Sequence, residues 1–565
     1  MKEYNLKVSG KQTAFSWWFF FIALFLFEFL LFRTYILREV VSYYPAYFDQ
    51  LNYLDLSYAL YESILHNGLI QGMIITFNQY SISSTVLFYI QAAIFFLFTG
   101  ASRYYALLLN FIYFIILQVS IVIVVKKLTG RYLFAVLFLG LLFLSLTPYL
   151  HAGGPIDFRM DFMVFCLYGI FVSVVLGGGI FLDKKWTVVA GCLAGLLILL
   201  RIFTFTYISG ISILLACFFL MGGKKNHLAK RRFENILIFI VTFLFISLPI
   251  LWLMRKGIYD YYVVGHILGP EKYIRSGIEG AFGTLALLLY YPKSIIFHHL
   301  GFKLIGCCSA LLLIIFAGYK TAKVKLSFYL KHQLTYFKEG LVFLGLAILV
   351  PFTLLTLDLS KSPIVAGILT VPIIWLIIWV SIYYYQKQNW AGAKKYLIYS
   401  IVVISFLVGM CHYTLNFIKH DQFYYKENVQ NITKMYEDIG DYAINHHWDR
   451  VEIAVDQTNE YLSNVSLSVL YYERRHVVIK TGLTLGNDSC SYVTLEKALH
   501  EIAKSAVFIV NLGDYEQGGR IETPWPLSTS LKTIRPQLRQ YAERHLSKLG
   551  DYSFDGYTFR VYVRP

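Results

Sequence analysis

The residues with chemical potential sit in short polar segments that interrupt an otherwise apolar chain. The first segment, YYPAYFDQLNYLDLSYALYE from Tyr43 to Glu62, places Asp49 directly after an aromatic cluster. On a helix, Asp49, Asn52 and Tyr53 share one face. A carboxylate held among aromatics loses part of its hydration and can serve as a general base toward a hydroxyl or an amine. The same aspartate equally suits a helix cap, with Asp55 as a solvated loop acid. The second segment, HAGGPIDFRMDF from His151 to Phe162, puts Asp157 and Asp161 on either side of Arg159, after a Gly-Gly-Pro turn. That trio suits orienting a substrate, holding a metal or pairing internally, and Asp161 also suits the cap of the next helix. Spacing alone does not choose.

Arg201 lies in LLILLRIFTFTY, between two apolar runs. An ionisable group in a membrane segment is expensive and is a functional candidate by default. A guanidinium offers two-pronged hydrogen bonds to a phosphate, and snorkelling to the headgroups is the plainer alternative. Farther on, YDYYVVGHILGPEKYIR (Tyr259 to Arg275) brings His266 and Lys272 among tyrosines. Such a set suits sugar hydroxyls and phosphates, and equally an interfacial aromatic belt. The segment LDLSKSP (Leu357 to Pro363) adds Lys361 as a phosphate contact. Glu28 and Arg33, in the first apolar run, read as a structural pairing.

The elements that must position these groups are membrane helices. Of 565 residues 57% are hydrophobic, 18% aromatic and only 15% charged. Soluble domains carry about 25% charge. A disordered chain, a disulfide scaffold and an ordinary cytosolic enzyme are thereby excluded. Eleven apolar runs are long enough to cross a bilayer: 14–36, 104–125, 132–149, 162–182, 186–202, 204–222, 235–255, 294–318, 339–357, 364–385 and 396–416. The run 82–99 is a twelfth, and it decides the topology. If it lies on or dips into the outer leaflet, the basic clusters that begin at Lys2, Lys126, Lys184, Lys224, Lys320 and Lys387 all face inside. The first outer loop (37–103), the second (150–161) and the tail then share the outer compartment.

The net charge of +16 belongs to the membrane part. Residues 421–565 hold 16 basic and 19 acidic residues, so the basic balance reports orientation, and no nucleic-acid motif is present. Cys166, Cys192, Cys217, Cys307, Cys308 and Cys411 lie in apolar runs, and no metal-binding cysteine spacing occurs. The chain thus divides into a transmembrane domain, 1–420, and an extracytoplasmic α/β domain, 421–565. In the latter, strands are predicted at 451–455, 476–480 and 506–511, helices at 424–446, 459–473, 494–504 and 529–547, and a hairpin at 549–563 turning at Gly556.

An early aspartate in a long outer loop, a second outer-loop acid, a helical bundle and an outer C-terminal domain together resemble the GT-C superfamily of integral-membrane glycosyltransferases. The nearest group is the family 39-like one of protein mannosyltransferases and lipid A aminoarabinose transferases. The likeness rests on YFDQLNYLDLSYALYE (47–62), SRYYALLLNFIYFIILQVSIVIVVKKLTGR (102–131), LTPYLHAGGPIDFRMDF (146–162) and LLR (199–201). It implies a polytopic GT-C-like fold of about eleven transmembrane helices. It also implies transfer of a sugar from a polyprenyl-phosphate donor to a lipid, glycan or protein on the outer face, with inversion. Asp49 then matches the early aspartate as general base, Asp157 the second-loop acid, and Arg201 and Lys361 the carrier-phosphate contacts. Some relatives use a divalent metal, for which Asp49, Asp157 and Asp161 would be oxygen ligands to Mg²⁺ or Mn²⁺. The chain departs from many relatives in having Asp49-Gln50 for Asp-Glu, and in lacking a Lys-Pro-Pro segment in 66–100.

A flippase or transporter of lipid-linked glycans would also need many helices and an intramembrane arginine, and a non-catalytic assembly factor would use the tail. Acids gathered outside the membrane, with no broken-helix pair, favour the enzyme. The implied setting is a bacterial inner membrane with a periplasmic tail. The triplets at Asn431, Asn464 and Asn487 also permit an endoplasmic-reticulum lumen.

Overall fold

Apolar runs of this length must satisfy their own backbone groups in lipid, so they fold as helices. The computed structural model describes residues 14–42, 48–79, 85–221, 227–281, 283–320, 328–387, 393–419, 429–456, 462–485, 490–513, 525–554 and 557–565. Lys2, Lys7, Lys11, Lys224, Lys323, Lys325, Asn487 and Gly556 lie outside the described residues. Helix α1 (Ala14–Glu39) is followed by α2 (Phe48–Asn67), α3 (Leu69–Gln79) and α4 (Val86–Thr99). Next come α5 (Arg103–Thr129), α6 (Leu133–Leu144), α7 (Met160–Gly177), α8 (Lys184–Leu200), α9 (Thr204–Met221) and α10 (His227–Leu253). The short α11 (Arg255–Ile258) leads into a π-helical stretch (Tyr259–Leu268), then α12 (Glu271–Ile278) and α13 (Gly283–Ser294). Helices α14 (Gly301–Lys320), α15 (Phe328–Leu357), α16 (Thr370–Lys387) and α17 (Ala393–Ile418) complete the bundle.

Among the described residues, nine helices are long and apolar enough to cross a membrane. Two of the eleven expected spans are shorter. The run 132–149 yields α6, of 12 residues, because the chain turns out after Leu144; 186–202 yields α8, of 17 residues, which ends at Arg201. Every residue of α6 is buried, which makes it the centre of the bundle. Helix α4, of 14 residues, falls short of the about 20 that a crossing needs.

Helix ends follow local chemistry. Ser102 caps α5 by accepting the Tyr105 amide, and Gly130 ends it at φ +69°. Asp183 caps α8 through the amides of Lys185 and Trp186. Polar side chains tie the bundle together where lipid gives apolar contact no advantage. Gln118 donates to Glu28 at 2.7 Å, so Glu28 pairs with an amide on α5. Trp375 Nε1 donates to Ser173 at 2.8 Å, and Arg232 on α10 meets Glu339 on α15.

The tail is a three-layer α/β/α unit. Its elements are α18 (Val429–Asn445), β1 (Val451–Val455), α19 (Asn464–Arg475), β2 (Thr481–Leu485), α20 (Leu495–Lys504), β3 (Val507–Asn511), α21 (Pro526–His545), β4 (Ser547–Phe554) and β5 (Tyr557–Val563). Strand order is β2-β1-β3-β5-β4; the first three are parallel and the last two form an antiparallel hairpin. Alternation sorts the faces: Ile453, Val455, Val507 and Ile509 pack with α18 and α19, while Ala454, Phe508 and Val510 pack with α20 and α21. The strand expected at 476–480 falls instead at 481–485. His476 ends α19 in the left-handed region at φ +53°, and register with β1 begins at Val451 opposite Thr481.

Candidate active site

Asp49 lies in the first turn of α2, with 46% of its side chain exposed. Tyr53, one turn on, shares that face and packs against Phe88 and Tyr89 of α4, ring centroids 5.3 and 5.9 Å away. The aromatics that precede Asp49 in sequence, Tyr43, Tyr44 and Tyr47, lie outside the described residues.

The second outer loop is fixed from two sides. Asn110 of α5 donates to the carbonyls of Pro155 (3.2 Å) and Asp157 (2.9 Å). Gln50 of α2 donates to the Ile156 carbonyl at 3.4 Å. Asp157 is fully buried and accepts the Gly153 amide at 2.7 Å, which closes the turn. Gly153 has φ +68°, and a Cβ there would lie 2.1 Å from Ile364 Cγ2, so the position admits only glycine. Gln50 stood out in the sequence only as a departure from an Asp-Glu pair, and the signal for Asn110 was an amide inside an apolar run.

Arg159 leaves this loop at the start of α7 and joins the acids. Its guanidinium lies 2.9 Å from Asp49, 3.5 Å from Asp161 and 3.8 Å from Asp157. Asp161, in the first turn of α7, pairs in turn with Arg201, the residue that ends α8. A continuous chain Asp49–Arg159–Asp161–Arg201 thus links α2, the second loop, α7 and the junction of α8 with α9. Arg159 faces three carboxylates and Arg201 one, and this shared network preorganises the site. Tyr261, on the π-helical stretch, lies within electrostatic reach of both Asp49 and Arg201 and of Arg275, whose Nε bonds Glu271 at 2.6 Å.

The other expected residues lie around this chain in different roles. His266 Nε2 is 3.5 Å from Asp358, and its ring packs 5.6 Å from that of Phe203. Lys272 bonds the Ile267 carbonyl and lies over the ring of Tyr273, so it contacts its own loop. Lys361 is buried, and its ammonium donates to the carbonyls of Leu355 (3.2 Å), Thr356 (2.9 Å) and Asp358. Those carbonyls end α15, where a cation is favoured. Burial draws the Lys361 pKa below the usual lysine range, against the opposing charge of Asp358.

Among the described residues no three His, Cys, Asp or Glu side chains are grouped to hold a metal ion. Asp49, Asp157 and Asp161 were the expected ligands for Mg²⁺ or Mn²⁺. All three lie within 3.8 Å of the Arg159 guanidinium.

No family model matches the sequence, and neither does any curated protein. Solved structures do match in shape. ArnT from Cupriavidus metallidurans bound to undecaprenyl phosphate aligns with a TM-score of 0.57 and 9% identity, over 97% of this chain and 98% of that one. The apo state of the same protein aligns with a TM-score of 0.56 and 10% identity over the same shares. The likeness spans both the helical bundle and the terminal sheet. The chain therefore has an ArnT-like fold, that of a polytopic helical membrane protein with a C-terminal α/β domain, as the sequence led us to expect.

Proposed function

We propose that this protein is a glycosyltransferase that moves a sugar from a polyprenyl-phosphate donor to an acceptor on the outer face of a membrane. The observation that carries the reading is a half-exposed Asp49 carboxylate fixed by Arg159 within a fold shared with a structure that holds undecaprenyl phosphate. Asp49 receives the proton of the acceptor hydroxyl or amine as its oxygen or nitrogen attacks the anomeric carbon. The bond to the carrier phosphate breaks, and the sugar is delivered with inversion. Arg159 and Arg201 face the charge that accumulates on the leaving phosphate. Tyr53 and Tyr261 line the approach of the sugar. The polyprenyl chain lies among the membrane helices, and the acceptor is a lipid, a glycan or a protein. The setting is a bacterial inner membrane, with the tail on the periplasmic side.

The test is donor turnover in nanodiscs. Wild type and Asp49→Asn are given undecaprenyl-phosphate esters of mannose, glucose and 4-amino-4-deoxyarabinose, with a lipid A acceptor and with a peptide acceptor. The expected result is consumption of one donor by wild type, unchanged by EDTA and reduced at least about 100-fold in Asp49→Asn. Equal turnover by both proteins would remove Asp49 from the mechanism. Movement of intact donor across the bilayer with no transfer would favour a flippase.

A further inference from the structure

Helix α2 has two working faces. Asp49 and Tyr53 project toward the second loop and α4. Asp55, Tyr58 and Glu62, spaced three and four residues apart, project from the opposite side, because each residue advances about 100° around the axis. That second face meets one helix of the tail. Ser468 of α19 donates to Asp55. Tyr58 donates to Glu473 at 3.0 Å, and its ring stacks on Tyr472 with centroids 4.8 Å apart. Tyr472 donates in turn to Glu62. Arg103, at the start of α5, closes the set: it lies 3.6 Å from Glu473 and donates to the Val41 carbonyl at 2.8 Å. Arg103 and Tyr58 are almost wholly buried.

Greasy contacts alone would let two helices slide or rotate against each other. A buried polar network does not, since each displaced group loses its partner. Here the partners fix both the rotation and the height of α2. We infer that the C-terminal domain is a positioning element for the proposed transfer reaction: α19, through Ser468, Tyr472 and Glu473, holds the back of α2 so that Asp49 meets Arg159. This rests on the reading of Asp49 as the reacting carboxylate. It gives the tail a role in catalysis without contact with the reacting atoms.

The experiment uses the full chain in nanodiscs and two readouts. Hydrogen–deuterium exchange reports α2 directly, and turnover of the panel donor reports function. Tyr472→Ala is expected to raise exchange across residues 48–56, the turns of α2 that carry Asp49, Tyr53 and, at Asp55, one end of the contact. It should lower kcat about ten-fold or more while KM for the donor stays within about two-fold, because misplacement acts on the reacting geometry. Tyr472→Phe keeps the stack on Tyr58 and should recover at least half of the rate. If Tyr472→Ala does not fold, Glu473→Gln replaces it, since it keeps the shape and weakens the bonds to Tyr58 and Arg103. Unchanged exchange over 48–56, or an unchanged kcat while Asp49→Asn is inactive, would overturn the positioning role and leave the site intact. Full activity of Asp49→Asn would overturn both.

Discussion

Replacing Arg159 by methionine removes the one guanidinium shared by three carboxylates. Asp49, Asp161 and Asp157 lie 2.9, 3.5 and 3.8 Å from it. At an effective dielectric of about 20, one unit pair at such a distance is worth about 4–5 kcal/mol. Asp49 is half exposed and is screened, and Asp161 keeps Arg201. The loss therefore falls mainly on Asp157, which is fully buried. Breaking one partner of a buried pair costs about 3–5 kcal/mol, and that is the expected destabilisation near neutral pH. Thermal unfolding in detergent at pH 7.5 reads this directly: Arg159→Met should melt well below wild type. Arg159→Lys should recover part of the stability, since an ammonium reaches one carboxylate and not three, while turnover stays about 100-fold down. An unchanged melting temperature in Arg159→Met would refute the electrostatic argument.

The contact between α2 and α19 should also respond to pH. Burial pushes the Asp55 carboxyl up to about 6, against the hydrogen bond from Ser468, and Glu62, Glu473, Tyr58, Tyr472 and Arg103 are the other titratable groups in the contact. A raised acid favours docking below pH about 4, and the advantage fades as pH rises through about 6. Protection of α19 amides from exchange should therefore be stronger at pH 5 than at pH 7.5, and Asp55→Asn should flatten the difference. Lys361→Met should lower the melting temperature, because three carbonyls at the end of α15 lose their donor; a raised donor KM with unchanged melting would instead mark Lys361 as a phosphate contact. Gly153→Ala should abolish turnover, and Ile364→Ala should rescue it only in part, since the clash with Ile364 is relieved but the left-handed backbone is not.

Much of the site was legible because it lies where polarity breaks the apolar pattern. Asp49, Asp157, Arg159, Asp161 and Arg201 stood out for that reason, and the structure joins all five. What spacing could not tell was which acid faces which base, since α2, the second loop and α8 are far apart in sequence. The three acids offered as metal ligands share one near neighbour that their spacing did not name, the guanidinium of Arg159. Lys361 was read as a phosphate contact from its place in an outer loop, and spacing could not show that its ammonium bonds the carbonyls that end its own preceding helix. In the tail, a Val-Val-Ile run promised a strand at 476–480, but parallel pairing with β1 set the register five residues later. The two short bundle helices were overestimated for a related reason. Hydropathy sees composition, and α6 is surrounded by protein on every side.

The shortness of α6 has a bearing on where chemistry takes place relative to the lipid. Twelve residues of helix rise about 18 Å, against a hydrocarbon core of about 30 Å. The chain turns at Ser145 and runs directly into the loop that carries Asp157 and Arg159. If α6 starts at the inner boundary, that loop lies sunk below the level of the outer headgroups, shielded by the longer helices around it. A sugar tethered to a lipid phosphate would meet it by descending a few ångströms, never leaving the membrane plane. Activity should then depend on bilayer thickness, with thin and thick host lipids presenting the tethered sugar at different heights above a fixed protein floor.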